Sequence, residues 1–142
     1  MFDYIIYTDG GYSASDNVGA AAYIILSASG GNLVKKDTFV LRNETSQRAE
    51  IKAILAAMDA LPDGSKAQVI TDYLYAAIGL GRLPRRKNQP DSDLLVLYRQ
   101  LRKQKHLRIE FKWVRSHFGD CWNELCDSLC TEALTQIEDQ II

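Results

Sequence analysis

Runs of apolar residues predict five β-strands along the chain. Each run is rich in β-branched or aromatic residues, and the last one alternates Leu, Ile, Phe and Trp with charged residues, a period of two. The first run ends at Asp9-Gly10-Gly11, a sequence typical of a turn. Gly-rich residues 29–32 predict a hairpin between the second and third strands. The predicted strands are residues 4–8, 19–27, 33–41, 67–71 and 107–114.

Segments with helical periodicity lie between the later strands and after the last one. The clearest case has Ile51, Ile54, Leu55 and Met58 on one face of a helix at about 46–61, and Pro62 follows it. Shorter or similar patterns predict helices at about 73–79, 91–104 and 122–137, with an exposed basic loop at 79–90. Hairpin-connected strands followed by crossover helices indicate an α/β fold: a mixed five-stranded sheet, three antiparallel strands then two parallel, with helices on both faces. We expect residues 1–142 to form a single domain.

Length and charge narrow the class of protein. The chain has 142 residues, and no apolar run approaches the 18 residues of a spanning helix. Its start lacks the basic segment of a signal peptide, so we expect a cytoplasmic protein without membrane association. The net charge of −1 combines a local +8 between Arg82 and Arg115 with −9 elsewhere. A basic segment beside an acidic remainder is compatible with phosphate binding next to metal binding, although a solvated helix face is the simpler interpretation.

Three cysteines lie near the C-terminus, at positions 121, 126 and 130. An odd number without a CxxC pair indicates reduced thiols rather than a disulfide framework. Together with His117, the three cysteines have a spacing that invites comparison with a zinc site. However, Cys126 and Cys130 fall on a predicted apolar stripe of a helix. We therefore expect Cys126 and Cys130 to be thiols of the hydrophobic core rather than zinc ligands.

Five polar residues are candidates for chemistry. Asp9 and Asp72 each follow a Thr at the end of an apolar strand, and parallel strands would bring these ends together, where a divalent cation would offset their repulsion. Taken singly, each Asp is better explained as part of a strand-end turn, and it is the repeated Thr-Asp at two strand ends that favours a site. Glu50 lies near a helix start, where it could simply complement the helix dipole. Asp127 is predicted mid-helix, an unfavourable place for Asp without a partner. His117 lies in a polar loop.

These residues belong to five short motifs that resemble the type 1 ribonuclease H family. They occur in the family's order and cover nearly the whole chain, from Tyr4 to Ala133. The motifs are Tyr-Thr-Asp-Gly-Gly at 7–11, Gln-Arg-Ala-Glu-Ile-Lys-Ala at 47–53, Ile-Thr-Asp at 70–72, Trp-Val-Arg-Ser-His at 113–117 and Asn-Glu-Leu-Cys-Asp-Ser-Leu at 123–129.

The resemblance implies an endoribonuclease that hydrolyses the RNA strand of RNA–DNA hybrids with two Mg²⁺ ions, Mn²⁺ being a substitute. It implies no obligate protein partner. Asp9 would bridge both ions, and His117 would assist proton transfer or product release. The implied catalytic residues are Asp9, Glu50, Asp72, His117 and Asp127, of which the four acids would bind metal. The implied substrate-binding residues are Gly10, Gly11, Ser46, Gln47, Arg85, Arg86, Lys87 and Asn123.

Departures from the family pattern leave two alternatives open. Gly11 replaces a common Ser, Tyr73-Leu74 replaces a Ser-Gln pair, and the family's long basic protrusion is shortened to 79–90. We therefore expect modest affinity for hybrids. The alternatives are a weakly active or inactive module that binds nucleic acid, and a nuclease of the same fold with another nucleic-acid substrate.

Overall fold

A computed structural model describes residues 1–13, 15–73, 92–115 and 121–141. Five strands form one sheet in the order β3-β2-β1-β4-β5. The strands are β1 (Tyr4–Ser13), β2 (Val18–Ser27), β3 (Leu33–Arg42), β4 (Lys66–Thr71) and β5 (Arg108–Trp113). The helices of the described ranges are α1 (Ser46–Asp59), α2 (Ser92–Gln104) and α3 (Cys121–Ile141).

The sheet is mixed, as the sequence predicts. Strands β1, β2 and β3 pair antiparallel, whereas β4 pairs parallel with both β1 and β5. The predicted helix at 73–79 (beyond Tyr73) and the predicted basic loop lie outside the described residues. None of the helices in the described ranges is long and apolar enough to cross a membrane.

The central strand β1 presents alternate side chains to helices on opposite faces of the sheet. Ile6 belongs to a buried cluster with residues of α1 and α2, such as Ile54 and Tyr98. Its neighbour Tyr7 belongs to a second cluster, which includes Cys126 of α3. Helices therefore cover both faces, and β1 lies between them, buried along residues 6–9.

The prediction that β1 ends in a turn at residues 9–11 is wrong. The strand runs on to Ser13, because β2 supplies a backbone partner for every residue up to the Ser13–Val18 pair. Pairing with β4 stops earlier, at Tyr7 and Ile70. Beyond Tyr7, β2 is the only strand of the described residues that pairs with β1.

Gly10 permits a close approach between β1 and α1. A Cβ added to Gly10 would lie 2.5 Å from the backbone nitrogen of Glu50 and 2.7 Å from the carbonyl carbon of Ala49. Real Cβ atoms do not come so close to backbone atoms. The first glycine after Asp9 is thus required by helix packing, which brings the backbone of Glu50 against the strand that carries Asp9.

Arg48 fixes the start of α1 against α2. Its guanidinium donates two hydrogen bonds to Asp93, of 2.8 and 2.9 Å, and its Nε donates to Glu44 at 2.9 Å. Thr45 caps the helix by accepting a hydrogen bond from the Arg48 backbone nitrogen. These bonds hold the N-terminal part of α1, and with it Glu50, in a defined orientation.

Replacement of Gly10 by Ala tests this packing, with Gly11→Ala as the matched control. We expect Gly10→Ala to lower the free energy of unfolding by about 1–3 kcal/mol, because α1 must move away from β1. An added Cβ at Gly11 would meet only side-chain atoms, at 3.5 Å or more, so its effect should be much smaller. Urea denaturation measures both. Equal stability of the two variants would contradict the packing argument.

Candidate metal centre

Three carboxylates converge at one end of the sheet. Asp9 lies two residues beyond the last β1 residue that pairs with β4, and Asp72 directly follows the end of β4. Glu50 reaches the same place from α1. Each of the three offers one carboxylate oxygen, and these atoms lie within 4.8 Å of one another. The sequence prediction that the ends of two parallel strands bring Asp9 and Asp72 together agrees with this geometry.

Burial and mutual repulsion make these groups hard to ionise together. Burial, followed by the charges of Asp72 and Asp127, raises the pKa of Asp9 to about 7. Burial, followed by the charge of Asp9, raises the pKa of Glu50 to about 10. A hydrogen bond between the Glu50 and Asp9 side chains favours the proton on Glu50. Both shifts favour retention of a proton by the cluster when no cation is bound.

Asp127 approaches this cluster from α3. It is half-buried and lies outside the group of three, but its charge is near enough to raise the pKa of Asp9. The mid-helix position that made Asp127 unusual in the sequence thus faces an acidic site. Asn123 lies one turn earlier in α3, and its side chain is outside the described part. His117 also lies outside the described residues.

The position of Glu50 argues against a role limited to the helix dipole. Helix α1 begins at Ser46, and its first turn contains no acidic residue. Glu50 is one turn further along, where the dipole effect has fallen off. Its Oε2 atom is buried and has no hydrogen-bond partner among the described residues. A buried carboxylate oxygen without a partner is unfavourable unless a ligand satisfies it.

A hard divalent cation fits this donor set. Carboxylate oxygens are the protein ligands that Mg²⁺ prefers, and positive charge would offset the repulsion that raises both pKa values. The unsatisfied Glu50 oxygen is available as a ligand atom. Asp9, Glu50 and Asp72 would therefore hold the cation, with Asp127 close enough to contribute to its charge balance.

Two cysteines contact the backbone beneath the site. Cys126 Sγ donates to the carbonyl of Tyr7 at 3.4 Å, and Cys130 Sγ donates to the carbonyl of Asp9 at 3.5 Å. Burial raises the pKa of both thiols. Both are core thiols, as predicted, whereas Cys121 is exposed. Within the described ranges, no cysteine belongs to a cluster that could hold a metal ion.

The predicted substrate-binding residues have different surroundings. Ser46 and Gln47 are exposed in the first turn of α1, one turn before Glu50. Gly10 and Gly11 are half-buried, Gly10 against α1 and Gly11 near Leu134 of α3. Arg85, Arg86 and Lys87 lie outside the described residues.

Within residues 92–115, the described part of the basic segment, basic residues lie at both ends of the sheet. Because β5 is parallel to β4, its first residue, Arg108, lies about 17 Å from the carboxylate end. Lys105 instead donates hydrogen bonds to the carbonyls of Met58 and Asp59 at the end of α1. Lys112 and Arg115 lie towards the carboxylate end. Among the described residues, some of the positive charge therefore stabilises packing, as at Lys105, or lies at the opposite end of the sheet from the site, as at Arg108.

The fold and the site define an α/β protein with an acidic cluster where a central strand and its parallel neighbour diverge. A sequence profile of the RNase H family matches residues 2–135. The chain therefore belongs to the ribonuclease H family, as its motifs predicted.

Relatives and a solved structure agree with this assignment. The chain is 29% identical over 141 residues to a protein named ribonuclease H from Wolbachia pipientis wMel, covering 92% of this chain and 94% of the relative. It is 33% identical over 141 residues to ribonuclease H of Thiobacillus denitrificans, covering 92% and 93%. The N-terminal RNase H domain of a Mycobacterium tuberculosis protein, solved as a fusion with maltose-binding protein, superposes with a TM-score of 0.81 over 100% of both chains at 20% identity. The fold is therefore ribonuclease H-like.

The electrostatics of the site predict how stability depends on pH in the absence of metal. The pKa values of Asp9 and Glu50 rise from ordinary values of 3.8 and 4.5 to about 7 and about 10 on folding. The folded protein thus binds these protons more tightly than the unfolded chain, and their contribution to stability is lost as pH rises between about 4 and 10.

Asp9→Asn tests the contribution of the Asp9 carboxylate to this pH dependence of stability. In EDTA, the melting temperature of the variant should exceed that of the parent by an amount that grows from pH 5 to pH 9, to at least about 3 °C. The control is Asp63→Asn, which changes an exposed carboxylate on the loop before β4. A difference that stays constant with pH, or matches that of Asp63→Asn, would show that Asp9 is not under electrostatic strain.

Proposed function

We propose that the protein is a divalent-metal-dependent endoribonuclease that hydrolyses the RNA strand of RNA–DNA hybrids. The observation that carries the proposal is the group of buried Asp9 and half-buried Glu50 and Asp72, with ligand atoms within 4.8 Å of one another and the charge of Asp127 beside it. Membership of the ribonuclease H family supports the type of reaction. In this proposal, residues 1–142 act as a single domain.

Each acidic residue has a defined task in this proposal. Asp9 is the most buried of the three converging acids, at 4% exposure, and interacts electrostatically with both Glu50 and Asp72, so we propose it as a ligand that two ions would share. Asp72 and Asp127 each raise the pKa of Asp9 and so complete the site from β4 and α3. These acids would hold two Mg²⁺ ions, or Mn²⁺ in their place, which would supply activation of the attacking water and stabilisation of the leaving 3′ oxygen. His117 accepts or donates a proton near neutral pH.

The surface next to Glu50 is suited to reading the RNA strand. Only the 2′-hydroxyl distinguishes ribose from deoxyribose, so a hybrid-specific enzyme must place polar groups beside the cleaved strand. Ser46 and Gln47 are exposed one turn before Glu50 and carry hydroxyl and amide groups. We also propose Gly10, Gly11 and Asn123 as contacts to the substrate, and Arg85, Arg86 and Lys87 as contacts to its phosphates.

Asp9→Asn is the direct test of catalysis. The change keeps the shape of the side chain but removes the charge that would hold the cations, so cleavage of a labelled RNA–DNA hybrid in Mg²⁺ should fall by about 10³-fold or more. Circular dichroism and the melting temperature should show an intact fold, and Asp63→Asn should cleave like the parent. Cleavage by Asp9→Asn at the parent rate would refute the catalytic assignment.

A panel of substrates tests the preference for hybrids. The parent should cleave RNA–DNA hybrid at least about ten times faster than duplex RNA, duplex DNA or either single strand. Preferential cleavage of another substrate would favour a nuclease of the same fold with a different specificity.

A hybrid that binds in Mg²⁺ but is cleaved neither in Mg²⁺ nor in Mn²⁺ would favour a binding module without turnover. Two departures from the family pattern, at Tyr73-Leu74 and in the shortened basic loop, are the observations that favour this second candidate.

A further inference from the structure

Asp72 lies just beyond the sheet, where other contacts must fix its backbone. Its predecessor Thr71 ends β4, and the Thr71 carbonyl accepts a hydrogen bond of 3.0 Å from the backbone nitrogen of Val114. The Thr71 hydroxyl accepts another, also of 3.0 Å, from the backbone nitrogen of Tyr73. Both bonds hold the neighbours of Asp72 rather than Asp72 itself.

Trp113 contacts Asp72 directly. The indole Nε1 of Trp113, the last residue of β5, donates a hydrogen bond of 3.1 Å to the Asp72 carbonyl oxygen. In the sheet, Trp113 pairs with Thr71, so the indole reaches across to the residue that follows its own partner. The bond therefore joins the end of β5 to the peptide that carries a carboxylate of the metal centre.

Packing alone does not account for this tryptophan. Leu107, Ile109 and Phe111 alternate with charged residues, as Trp113 does, and those three are buried or half-buried. Trp113 remains 43% exposed. A large aromatic side chain that is exposed beside an acidic cluster, with its polar atom on a ligand residue, indicates a role at the site.

We propose that Trp113 is a positioning residue, whose indole N–H holds the Asp72 backbone so that the Asp72 carboxylate faces Asp9 and Glu50. The proposal rests on the metal site of the proposed function. Groups that orient metal ligands through hydrogen bonds often change metal affinity when they are removed. A similar contact exists on the other strand, where Cys130 donates to the Asp9 carbonyl.

Trp113→Phe removes the donor and keeps an aromatic ring, and Trp122→Phe is the matched control. Trp122 is the second residue of α3 and packs against the apolar cluster of Tyr7 and Cys126. The chain has only these two tryptophans, so each variant leaves one fluorophore. We expect Trp113→Phe to raise the Mg²⁺ concentration for half-maximal hybrid cleavage by about 3- to 10-fold. The melting temperature in EDTA should stay near that of the parent, and Trp122→Phe should leave the Mg²⁺ midpoint unchanged.

Mg²⁺ titration without substrate separates this proposal from the proposed function. The fluorescence of Trp113, alone in Trp122→Phe, should change with Mg²⁺ at the midpoint found for cleavage by that variant. A parent that binds no Mg²⁺, measured by calorimetry, would overturn both the metal site and the role of Trp113. A parent and a Trp113→Phe variant with equal Mg²⁺ midpoints would overturn the role of Trp113 alone.

A measurement on the parent protein tests the bond from Trp113 to Asp72 without requiring Trp113→Phe to fold. In nitrogen–proton NMR spectra, the Trp113 indole N–H should exchange slowly with solvent despite the exposure of the ring, and its resonance should shift on Mg²⁺ addition. Assignment follows from the peak that persists in Trp122→Phe. Fast exchange together with an unchanged resonance would overturn the proposal.

Discussion

The repulsion among buried carboxylates is the interaction on which the rest of this structure depends. Asp9, Glu50 and Asp72 lie together with Asp127 nearby, and burial adds to the repulsion, so the pKa values of Asp9 and Glu50 rise to about 7 and about 10. Such an arrangement is unfavourable for the folded chain by itself. It becomes favourable when a divalent cation binds, which is why we interpret it as a site that folding prepares for metal.

The fold maintains this arrangement by fixing the backbone on each side. The absence of a side chain at Gly10 lets α1 contact β1, and this contact brings Glu50 to Asp9. Arg48 ties the beginning of α1 to Asp93 of α2. Strand β5 holds the end of β4 through Val114 and Trp113. The carboxylates that repel one another therefore lie on strands and a helix that are held in place by contacts outside the site.

Much of the fold follows from periodicity, because one face of each strand and helix must be buried. The mixed sheet, its helices on both faces and the buried Cys126 and Cys130 were all predicted in this way. The turn predicted after Asp9 was wrong because local composition does not show that β2 continues to pair with β1. Glycine there reflects a contact with α1, which is distant in sequence.

The candidate site was predicted in part for the same reason. Carboxylates at the ends of parallel strands could be placed together from the sequence, so the meeting of Asp9 and Asp72 was expected. The alternation along residues 107–114 predicted the strand β5, but only the register between β4 and β5 reveals the bond from Trp113 to Asp72. The most direct test of the central claim is proton release on Mg²⁺ binding, measured by calorimetry at pH 8 in buffers of different ionisation enthalpy. We predict release of about one proton per protein in the parent, since Glu50 is protonated before the cation binds. Binding without proton release, or no binding, would contradict the account.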